Sequence, residues 1–490
     1  MHQGIPQKKK TIRYIGVVVD KYELFKLHVK ESAERFLQVD KLQTLRLISH
    51  LDADGISAAS LMTRWFNKDN RKYSLSIVQQ LNKEVISSLA RETYRYFVFT
   101  DLGSGQLGFI KEFLSDRHVL ILDHHEPEDI QLPENFIQVN PHLFGIDGSR
   151  EISGAGVVYL FVSSINEQMK DLAHVPIIGA IGDVQENHGF TKLNKEILDE
   201  AVKRGKIKVI TGLRLFGAQT RPLHKVLEYS TTPYIPGVSG TESGAIQFLQ
   251  QIGVNPRTEK GWRKIVHLSD EELQKLSTGI VMRRLGEEKP EDIIGNVYIL
   301  PEEAKESPTR DAKEFATLLN ACGRLGKASL GIGTCLGDKK IKEKAIRSLL
   351  QYKKEIVNAI KWYERSQETD RVIKGEGFTI FNAKDNILPT IVGTLASIVA
   401  KSNSIGKRTY ILGIADLLNG TCKASMRVAG QARDVDLYAL IKEIADKVPG
   451  VEAGGHSSAA GAMVPADKEN LFIEAATEVL SRRSLEEKII

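Results

Sequence analysis

Four short apolar runs, each followed by acidic or histidine residues, mark the first part of the chain. The runs are LRLIS, YFVF, HVLIL and PIIGAI, and they precede His50–Gly55, Thr100–Gly103, Asp123–His125 and Gly182–Asp183. Runs of this length predict buried strands, and the fourth run fits a helix equally well. Polar residues at the carboxyl ends of parallel strands converge in the crevice where α/β sheets bind ligands. The pattern therefore predicts a metal site.

The spacing of apolar and polar positions also predicts an α/β fold. After a helical segment at Glu23–Leu37, strand-like and helix-like stretches alternate up to about residue 190, which indicates βαβ units and a mostly parallel sheet. From about 193 to 365 the pattern is chiefly helical. Within it, the segment 269–286 begins with Ser269 and Glu272, which fit a capping box.

A second α/β pattern follows a long amphipathic helix predicted at 338–368. The stretch RVIKGEGFTIF predicts one strand, and it is followed by a helix at 389–401, strands around 409–415 and 421–428, and helices at 434–447 and 467–482. Two α/β lobes joined by helices would leave a cleft between them.

Composition narrows the class of protein only moderately. A chain of 490 residues is long enough for two or three domains. An apolar content of 42% with 26% charged residues is ordinary for a globular protein. The net charge of +5 permits a nucleic-acid partner without requiring one, because both signs are abundant.

The cysteines and the longest apolar stretches bear on the compartment. Cys322, Cys335 and Cys422 are widely spaced, which argues for a reducing cytoplasm and against a disulfide scaffold or a cysteine zinc site. Neither a bilayer-spanning segment nor a signal peptide is predicted, so we expect a cytoplasmic protein without a membrane partner. Lys- and Glu-rich helices with few sulfur residues also favour a thermophilic source.

The acidic and histidine clusters carry the candidate chemistry. Asp52 and Asp54 alternate across one residue, a spacing that lets two carboxylates reach neighbouring ions, while Asp101, His124 and Asp183 follow other segments. Carboxylates mixed with imidazole suit Mn²⁺, Mg²⁺ or Zn²⁺, with Mn²⁺ favoured at octahedral geometry. Two ions about 3.5–4 Å apart would need one bridging carboxylate, and Asp101 is our candidate. Any one of these residues alone also fits a helix cap or a turn.

Taken together, the motifs resemble those of the DHH phosphoesterase family, named for a motif that stands here as Asp123-His124-His125. The four family motifs match at His50-x-Asp52-x-Asp54-Gly55, at Asp101, at Asp123-His124-His125 and at Gly182-Asp183. Later in the chain, Asn320-Ala-Cys-Gly-Arg324 is similar to a stretch of RecJ-type nucleases, and Ser425-Met-Arg427 with Gly454-Gly455-His456 resembles the DHH-associated domain. One departure concerns the first motif. Many members place a histidine four residues before the first metal aspartate, where this chain has Ile48, and His50 lies only two residues before it.

The resemblance implies a role for each matching residue. Asp52 and Asp101, with His50 as a further candidate, would hold one divalent ion, and Asp54, Asp101, His124 and Asp183 would hold the other. A water activated between two ions would attack the phosphorus in line. His125 would contact the phosphate, and Asp123 would orient a histidine. The implied substrate-binding residues are Asn320, Arg324, Ser425, Arg427, Gly454, Gly455 and His456. By themselves, the Gly-Gly-His segment also fits a plain turn and Arg427 a surface strand residue.

The implied activity is that of an archaeal RecJ-like exonuclease of the GINS-associated type, acting on single-stranded DNA with 5′ to 3′ polarity in replication or repair. The two ions would be Mn²⁺, with Mg²⁺ as the alternative, and RNA stays open as a substrate. Two other functions also stay open: a small-substrate phosphodiesterase on short oligoribonucleotides or nucleotide bisphosphates, and a replisome scaffold. The expected domains are an N-terminal extension (1–22), a DHH catalytic domain (23–235), a mainly helical insertion that is the candidate surface for the GINS complex (236–337), a connecting helix (338–368) and a DHH-associated substrate-binding domain (369–490).

Overall fold

The computed structural model describes residues 13–14, 17–18 and 20–489, apart from residues 188, 232, 260, 403–404, 407, 431–434 and 458. Most of the predicted N-terminal extension therefore lies outside the described residues. The chain divides into two compact units, residues 1–346 and 347–490. No helix among the described residues is both long and apolar enough to cross a bilayer.

The first unit is built on a parallel sheet. Its opening elements, in chain order, are β1 (Arg13–Tyr14), β2 (Val17–Val18), α1 (Lys21–Leu37), β3 (Leu45–His50), α2 (Ala53–Lys68), β4 (Tyr73–Val78), α3 (Lys83–Ala90), β5 (Tyr96–Thr100), α4 (Leu107–Leu114), β6 (His118–Leu122), β7 (Phe136–Val139), α5 (Gly154–Ile165) and α6 (His174–Gly182). Five strands pair in the order β4-β3-β5-β6-β7, and all four pairings are parallel. The predicted α/β class and parallel sheet are confirmed.

Three of the four apolar runs form strands, and the fourth forms a helix. LRLIS lies in β3, YFVF in β5 and HVLIL in β6, each ending at the same edge of the sheet. PIIGAI lies in α6, where burial on all sides replaces the period of an amphipathic helix. The four polar clusters thus meet from three strand ends and one helix end.

The segment predicted to be chiefly helical also contains a sheet. Its elements are α7 (Lys192–Lys203), β8 (Lys208–Leu213), α8 (Leu223–Glu228), α9 (Glu242–Gln251), β9 (Arg257–Thr258), β10 (Gly261–Trp262), α10 (Asp270–Arg283), β11 (Ile294–Ile299), α11 (Ala312–Arg324), α12 (Ala328–Cys335) and α13 (Lys339–Ser366). Strands β8 and β11 pair antiparallel across 80 residues of intervening chain, which a local period cannot reveal. The capping box of Ser269 and Glu272 begins α10 as predicted.

The second unit is a mixed sheet covered by helices. Its remaining elements are β12 (Val372–Gly375), β13 (Phe378–Asn382), α14 (Pro389–Ala400), β14 (Tyr410–Asp416), β15 (Thr421–Val428), α15 (Leu437–Asp446), β16 (Glu452–His456), β17 (Ala459–Pro465) and α16 (Glu469–Ile489). The sheet order is β12-β13-β14-β15-β17-β16, with only β13 and β14 parallel. The stretch predicted as one strand at 371–381 is instead a hairpin of β12 and β13, because Gly377 turns the chain with φ of 75°.

Candidate metal centre

The strand and helix ends of the first unit bring six polar side chains together in two groups. Within each group, one donor atom per residue lies within 4.8 Å of the others. The groups are His50, Asp52 and Asp101, and Asp54, His124 and Asp183. These are the six residues that the sequence predicts as metal ligands, and the structure gathers all of them.

Asp101 lies between the two groups. Its Oδ2 is 3.8 Å from Nδ1 of His50, and its Oδ1 is 3.3 Å from Nε2 of His124. The residue is buried, and among the described residues neither carboxylate oxygen has a hydrogen-bond partner. A buried carboxylate without partners costs free energy, so its two oxygens call for a ligand. Asp101 also adopts a positive φ of 59°, uncommon for a residue with a side chain.

The loop after β3 fixes Asp52. Its Oδ1 accepts a hydrogen bond from the Gly55 N–H at 2.9 Å, which makes it the N-cap of α2, and its Oδ2 lies 2.8 Å from Nδ1 of His50. Ile48, where many relatives would carry a histidine, is fully buried in the apolar core. His50 is therefore the histidine that this strand offers to the site.

Helix α5 fixes Asp54 through its N-terminus. Oδ2 of Asp54 accepts from the Gly154 N–H at 2.7 Å, and Oδ1 accepts from the Ala155 N–H at 3.2 Å. These amides carry the positive end of the helix dipole, which stabilises a buried carboxylate. A Cβ at Gly154 would lie 2.4 Å from Oδ1 of Asp101, so only glycine fits where this helix meets the site.

The orientation of His124 identifies its free nitrogen. Nδ1 of His124 lies 2.7 Å from the Gly148 carbonyl oxygen, and this contact requires a proton on Nδ1. Nε2 has no hydrogen-bond partner among the described residues, yet it lies 3.3 Å from Asp101, 3.4 Å from Asp183 and 3.8 Å from Asp54. A nitrogen aimed at three carboxylates needs either a second proton or a cation.

Asp123 orients the other histidine of the motif. Its Oδ1 accepts from Nδ1 of His125 at 2.7 Å and from the His124 N–H at 2.8 Å, while its Oδ2 accepts from the Ser104 N–H at 2.9 Å. Both oxygens are thus engaged within the protein. Asp123 is suited to position His125, as the resemblance implies, and one of its oxygens also lies within 4.8 Å of donor atoms of Asp101, His124 and His125.

The acidic side chains raise one another's proton affinity. Burial, reinforced by the charges of Asp54 and Asp52, raises the pKa of Asp101 and of Asp183 well above the ordinary range. Burial likewise raises the pKa of Asp54. Burial alone would raise the pKa of Asp52 as well, but the charge and hydrogen bond of His50 hold that pKa below its usual value. The cluster therefore lacks the positive charge needed to balance its carboxylates.

The donor set fits divalent cations. Four carboxylates and two imidazoles lie together, Asp101 offers two unpartnered oxygens, and Nε2 of His124 has no hydrogen-bond partner among the described residues. Mixed carboxylate and imidazole donors suit Mn²⁺, with Mg²⁺ more dependent on oxygen.

Two predicted substrate residues, Asn320 and Arg324, lie on α11 beside the metal loop. Oδ1 of Asn320 accepts a hydrogen bond from the Ala53 N–H at 3.0 Å, so its side chain holds the residue between Asp52 and Asp54. A Cβ at Gly323 would lie 1.6 Å from the Leu51 carbonyl oxygen. In this structure the Asn-Ala-Cys-Gly-Arg segment packs on the loop that carries Asp52, a positioning role that the sequence alone did not indicate.

The other predicted substrate residues lie in the second unit. Ser425 pairs with Gly461, which in turn pairs with Gly454, so the strand register places them in one row across β15, β17 and β16. Arg427 donates from Nε to Oγ of Ser397 at 3.0 Å and from Nη1 to the Met426 carbonyl at 2.7 Å.

Gly455 and His456 lie near the end of β16. Gly455 has φ of 120°, and a Cβ there would lie 2.6 Å from the Ala459 carbonyl oxygen, so the hairpin itself requires glycine. His456 ends β16, and its side chain lies outside what the structure describes.

Three sequence profiles match the chain: the DHH family N-terminal domain at 45–180, the DHH-CID domain at 215–297 and the DHHA1 domain at 376–482. An uncharacterized protein of Methanocaldococcus jannaschii is 31% identical over 90% of this chain and 94% of its own length. A putative single-strand DNA-specific exonuclease of the Bacillus subtilis SPbeta prophage is 24% identical over 36% of this chain and 32% of its own.

Among solved structures, RecJ from Thermus thermophilus in complex with Mn²⁺ matches with a TM-score of 0.56 and 15% identity, covering 93% of this chain and 55% of that one. CDC45 from Entamoeba histolytica matches with a TM-score of 0.61 and 12% identity, covering 94% of this chain and 99% of that one. The fold is RecJ-like, and the chain belongs to the DHH family.

Proposed function

We propose that this protein is a metal-dependent phosphodiesterase of the exonuclease type that hydrolyses single-stranded DNA. The observation that carries the proposal is Asp101, a buried carboxylate with two unpartnered oxygens directed at two separate donor groups. A side chain in this arrangement suits a bridge between two divalent ions.

The residues divide between two ions. Asp52 and Asp101, with His50, would hold one, and Asp54, Asp101, His124 and Asp183 would hold the other. Mn²⁺ is the proposed metal, with Mg²⁺ as the alternative. When bound, two such ions lower the pKa of a water and neutralise charge on a transferring phosphate.

Other residues of the chain would orient the candidate ligands and stabilise the charge that develops on the phosphate. Asp123 fixes His125, whose ring would contact a phosphate oxygen as negative charge develops there. The amides at the start of α5 hold Asp54, and Asn320 holds the backbone beside it. Because these side chains are already in position, less free energy is needed to organise the site during the reaction.

Three observations support a nucleic-acid strand as substrate. RecJ structures share this fold, and a phage-derived relative is described as a putative single-strand DNA-specific exonuclease. The second unit carries Arg427 and Ser425 near glycine-rich strands, which suit binding of a terminal nucleotide or phosphate. The proposed polarity is 5′ to 3′, RNA is an alternative polymer, and a small-nucleotide phosphodiesterase is the alternative enzyme.

A second candidate role is replisome scaffolding, favoured by the fold shared with CDC45 over 94% of the chain. In this role the segment 236–337 would bind the GINS complex. All six candidate metal ligands are present. Their presence favours a nuclease that also binds the GINS complex, rather than a protein that serves only as a scaffold. Met282→Asp and Leu285→Asp, at exposed positions of this segment away from α11, should weaken GINS binding and spare cleavage, and unchanged binding would exclude this part of the surface.

The test is digestion of single-stranded DNA and RNA with Mn²⁺, each labelled separately at the 5′ and 3′ ends. We expect early release of mononucleotide from the 5′ label of DNA and no release with Asp101→Ala. Early release from the 3′ label would reverse the polarity, and preference for RNA would change the polymer. No cleavage of long strands by folded, metal-loaded protein would overturn the exonuclease proposal.

A further inference from the structure

The helix that carries Asp183 ends in a strained turn. Asp183 is the C-cap of α6, and the next residue, Val184, has φ of 61°. The Val184 N–H donates to the Ile181 carbonyl oxygen at 3.1 Å, and the Gln185 N–H donates to the Ala180 carbonyl oxygen at 2.9 Å. These two bonds form a Schellman motif, in which glycine usually occupies the left-handed position. A β-branched residue there is a strained exception, which persists only where the surrounding structure holds the backbone in place.

The side chain of Gln185 holds this turn in place. Val184 itself is 54% exposed, whereas Gln185 is only 7% exposed. Nε2 of Gln185 donates to the Gly148 carbonyl oxygen at 3.0 Å, and its Oε1 accepts from Nδ2 of Asn194 at 2.6 Å. Asn194 lies on α7 and is buried. The turn after Asp183 is therefore anchored both to α7 and to the loop that precedes α5.

The Gly148 carbonyl oxygen also fixes His124. Nδ1 of His124 lies 2.7 Å from that oxygen, which has two lone pairs and can accept from His124 and Gln185 at once. A Cβ at Gly148 would lie 1.9 Å from the His124 carbonyl oxygen, so only glycine allows the loop to approach this closely. The contact leaves Nε2 of His124 3.4 Å from Asp183. Gln185 is thus connected to two candidate ligands, Asp183 through the turn and His124 through one shared acceptor.

We propose that Gln185 is a positioning residue for one metal ion, the ion assigned to Asp54, Asp101, His124 and Asp183. The inference rests on the proposed function, which divides the candidate ligands between two ions. Residues that orient a metal ligand typically change metal affinity by about 10- to 100-fold when they are replaced. Asp52, a ligand of the other ion, is fixed instead by the Gly55 N–H. The affinity of that second ion should therefore not depend on Gln185.

The test is a titration of the full-length protein with Mn²⁺, in which electron paramagnetic resonance counts the free and bound ions. Gln185→Met keeps the approximate length of the side chain and removes both of its hydrogen bonds. We expect this variant to weaken one Mn²⁺ by about 10-fold and to leave the other unchanged. Added to Asp183→Asn, it should weaken Mn²⁺ binding no further, because the ion that depends on Gln185 is already weakened.

Gln219→Met is the matched control. Gln219 is also 7% exposed, and its Oε1 accepts from the Glu306 N–H at 3.3 Å. The control should lower the melting temperature about as much as Gln185→Met does and leave both Mn²⁺ affinities unchanged. If Gln185→Met does not fold, Asn194→Leu removes only one of the two hydrogen bonds, and it should weaken the same ion by a smaller factor.

Equal weakening of both ions, or of neither, in a folded variant would overturn the positioning role. The cleavage assay distinguishes this failure from a failure of the proposed function. Gln185-dependent Mn²⁺ binding without cleavage of any strand would retain the positioning role and overturn the nuclease. Cleavage by a protein whose Mn²⁺ binding does not depend on Gln185 would retain the nuclease and overturn the positioning role.

Discussion

Oδ1 of Asp101 and Nε2 of His124 lie 3.3 Å apart, and neither atom has a hydrogen-bond partner among the described residues. Both side chains are buried. The Gly148 carbonyl fixes the proton of His124 on the opposite nitrogen. Two buried acceptors facing each other are unstable without a proton or a cation between them. Burial would lower the pKa of His124, but the charges of Asp183 and Asp54 raise it, so a proton replaces the cation in the metal-free protein, with measurable consequences.

The first consequence is that the metal-free protein should become less stable as the pH rises. Asp101 and Asp183 have folded-state pKa values above their unfolded values, so the folded state binds protons more tightly. Their contribution to stability is greatest below the unfolded pKa and is lost as pH rises through the raised folded values. Thermal unfolding with chelator should show this loss, and Mn²⁺ at 100 times its Kd should restore about 2.7 kcal/mol at neutral pH. An identical pH profile with and without Mn²⁺ would contradict the assignment.

Asp101→Asn should separate stability from activity. Removing one charge from the cluster should raise the melting temperature of the metal-free protein, while Mn²⁺ should no longer stabilise it. Activity should fall by more than the roughly 10- to 100-fold typical of residues that act through a ligand. Differential scanning calorimetry and a cleavage assay check both parts. A lower metal-free melting temperature would show that Asp101 is a structural residue.

Asn320→Ala tests the positioning role of the Asn-Ala-Cys-Gly-Arg segment. Loss of the hydrogen bond to the Ala53 N–H should loosen the Asp52 and Asp54 loop and weaken Mn²⁺ binding by about 10-fold. Asn82→Ala is the control, because Asn82 also accepts from a backbone N–H, at the start of α3. The control should cost about 1 kcal/mol of stability and leave Mn²⁺ affinity unchanged. If Asn320→Ala raised only the KM for the strand, the residue would bind substrate instead.

Gly154→Ala tests the close packing of α5 on the centre. The new methyl group would lie 2.4 Å from Oδ1 of Asp101, so the carboxylate must move and cleavage should fall steeply. Gly286→Ala introduces the same group where no atom lies within 4 Å, and it should leave activity unchanged. Equal activity in the two variants, by initial rates, would mean that Asp101 need not keep its observed position.

The positions of the strand ends could be predicted because the local pattern of apolar and polar residues encodes them. Buried runs that end in Asp or His place Asp52, Asp101 and His124 at one sheet edge without knowledge of the whole fold. The two donor groups followed from that edge and from the family resemblance. Asp183 was also predicted as part of this cluster and lies in it, although it caps a helix and does not follow a strand.

The supporting roles of these residues could not be predicted, because their partners are distant in sequence. Asn320 meets Ala53 across 267 residues, and Gly154 meets Asp54 across 100. The only local signal for α5 is Ser153 followed by small residues, an N-cap pattern that was not used in the sequence analysis. The pairing of β8 with β11 could not be predicted for the same reason.

The central claim is that Asp101 bridges two ions, and an electron paramagnetic resonance titration with Mn²⁺ tests it most directly. We expect two Mn²⁺ per chain with a spin-coupled spectrum, since bridged ions lie about 3.5–4 Å apart. Asp101→Asn should lose the coupled signal. A single uncoupled Mn²⁺ in the wild-type protein would contradict the claim.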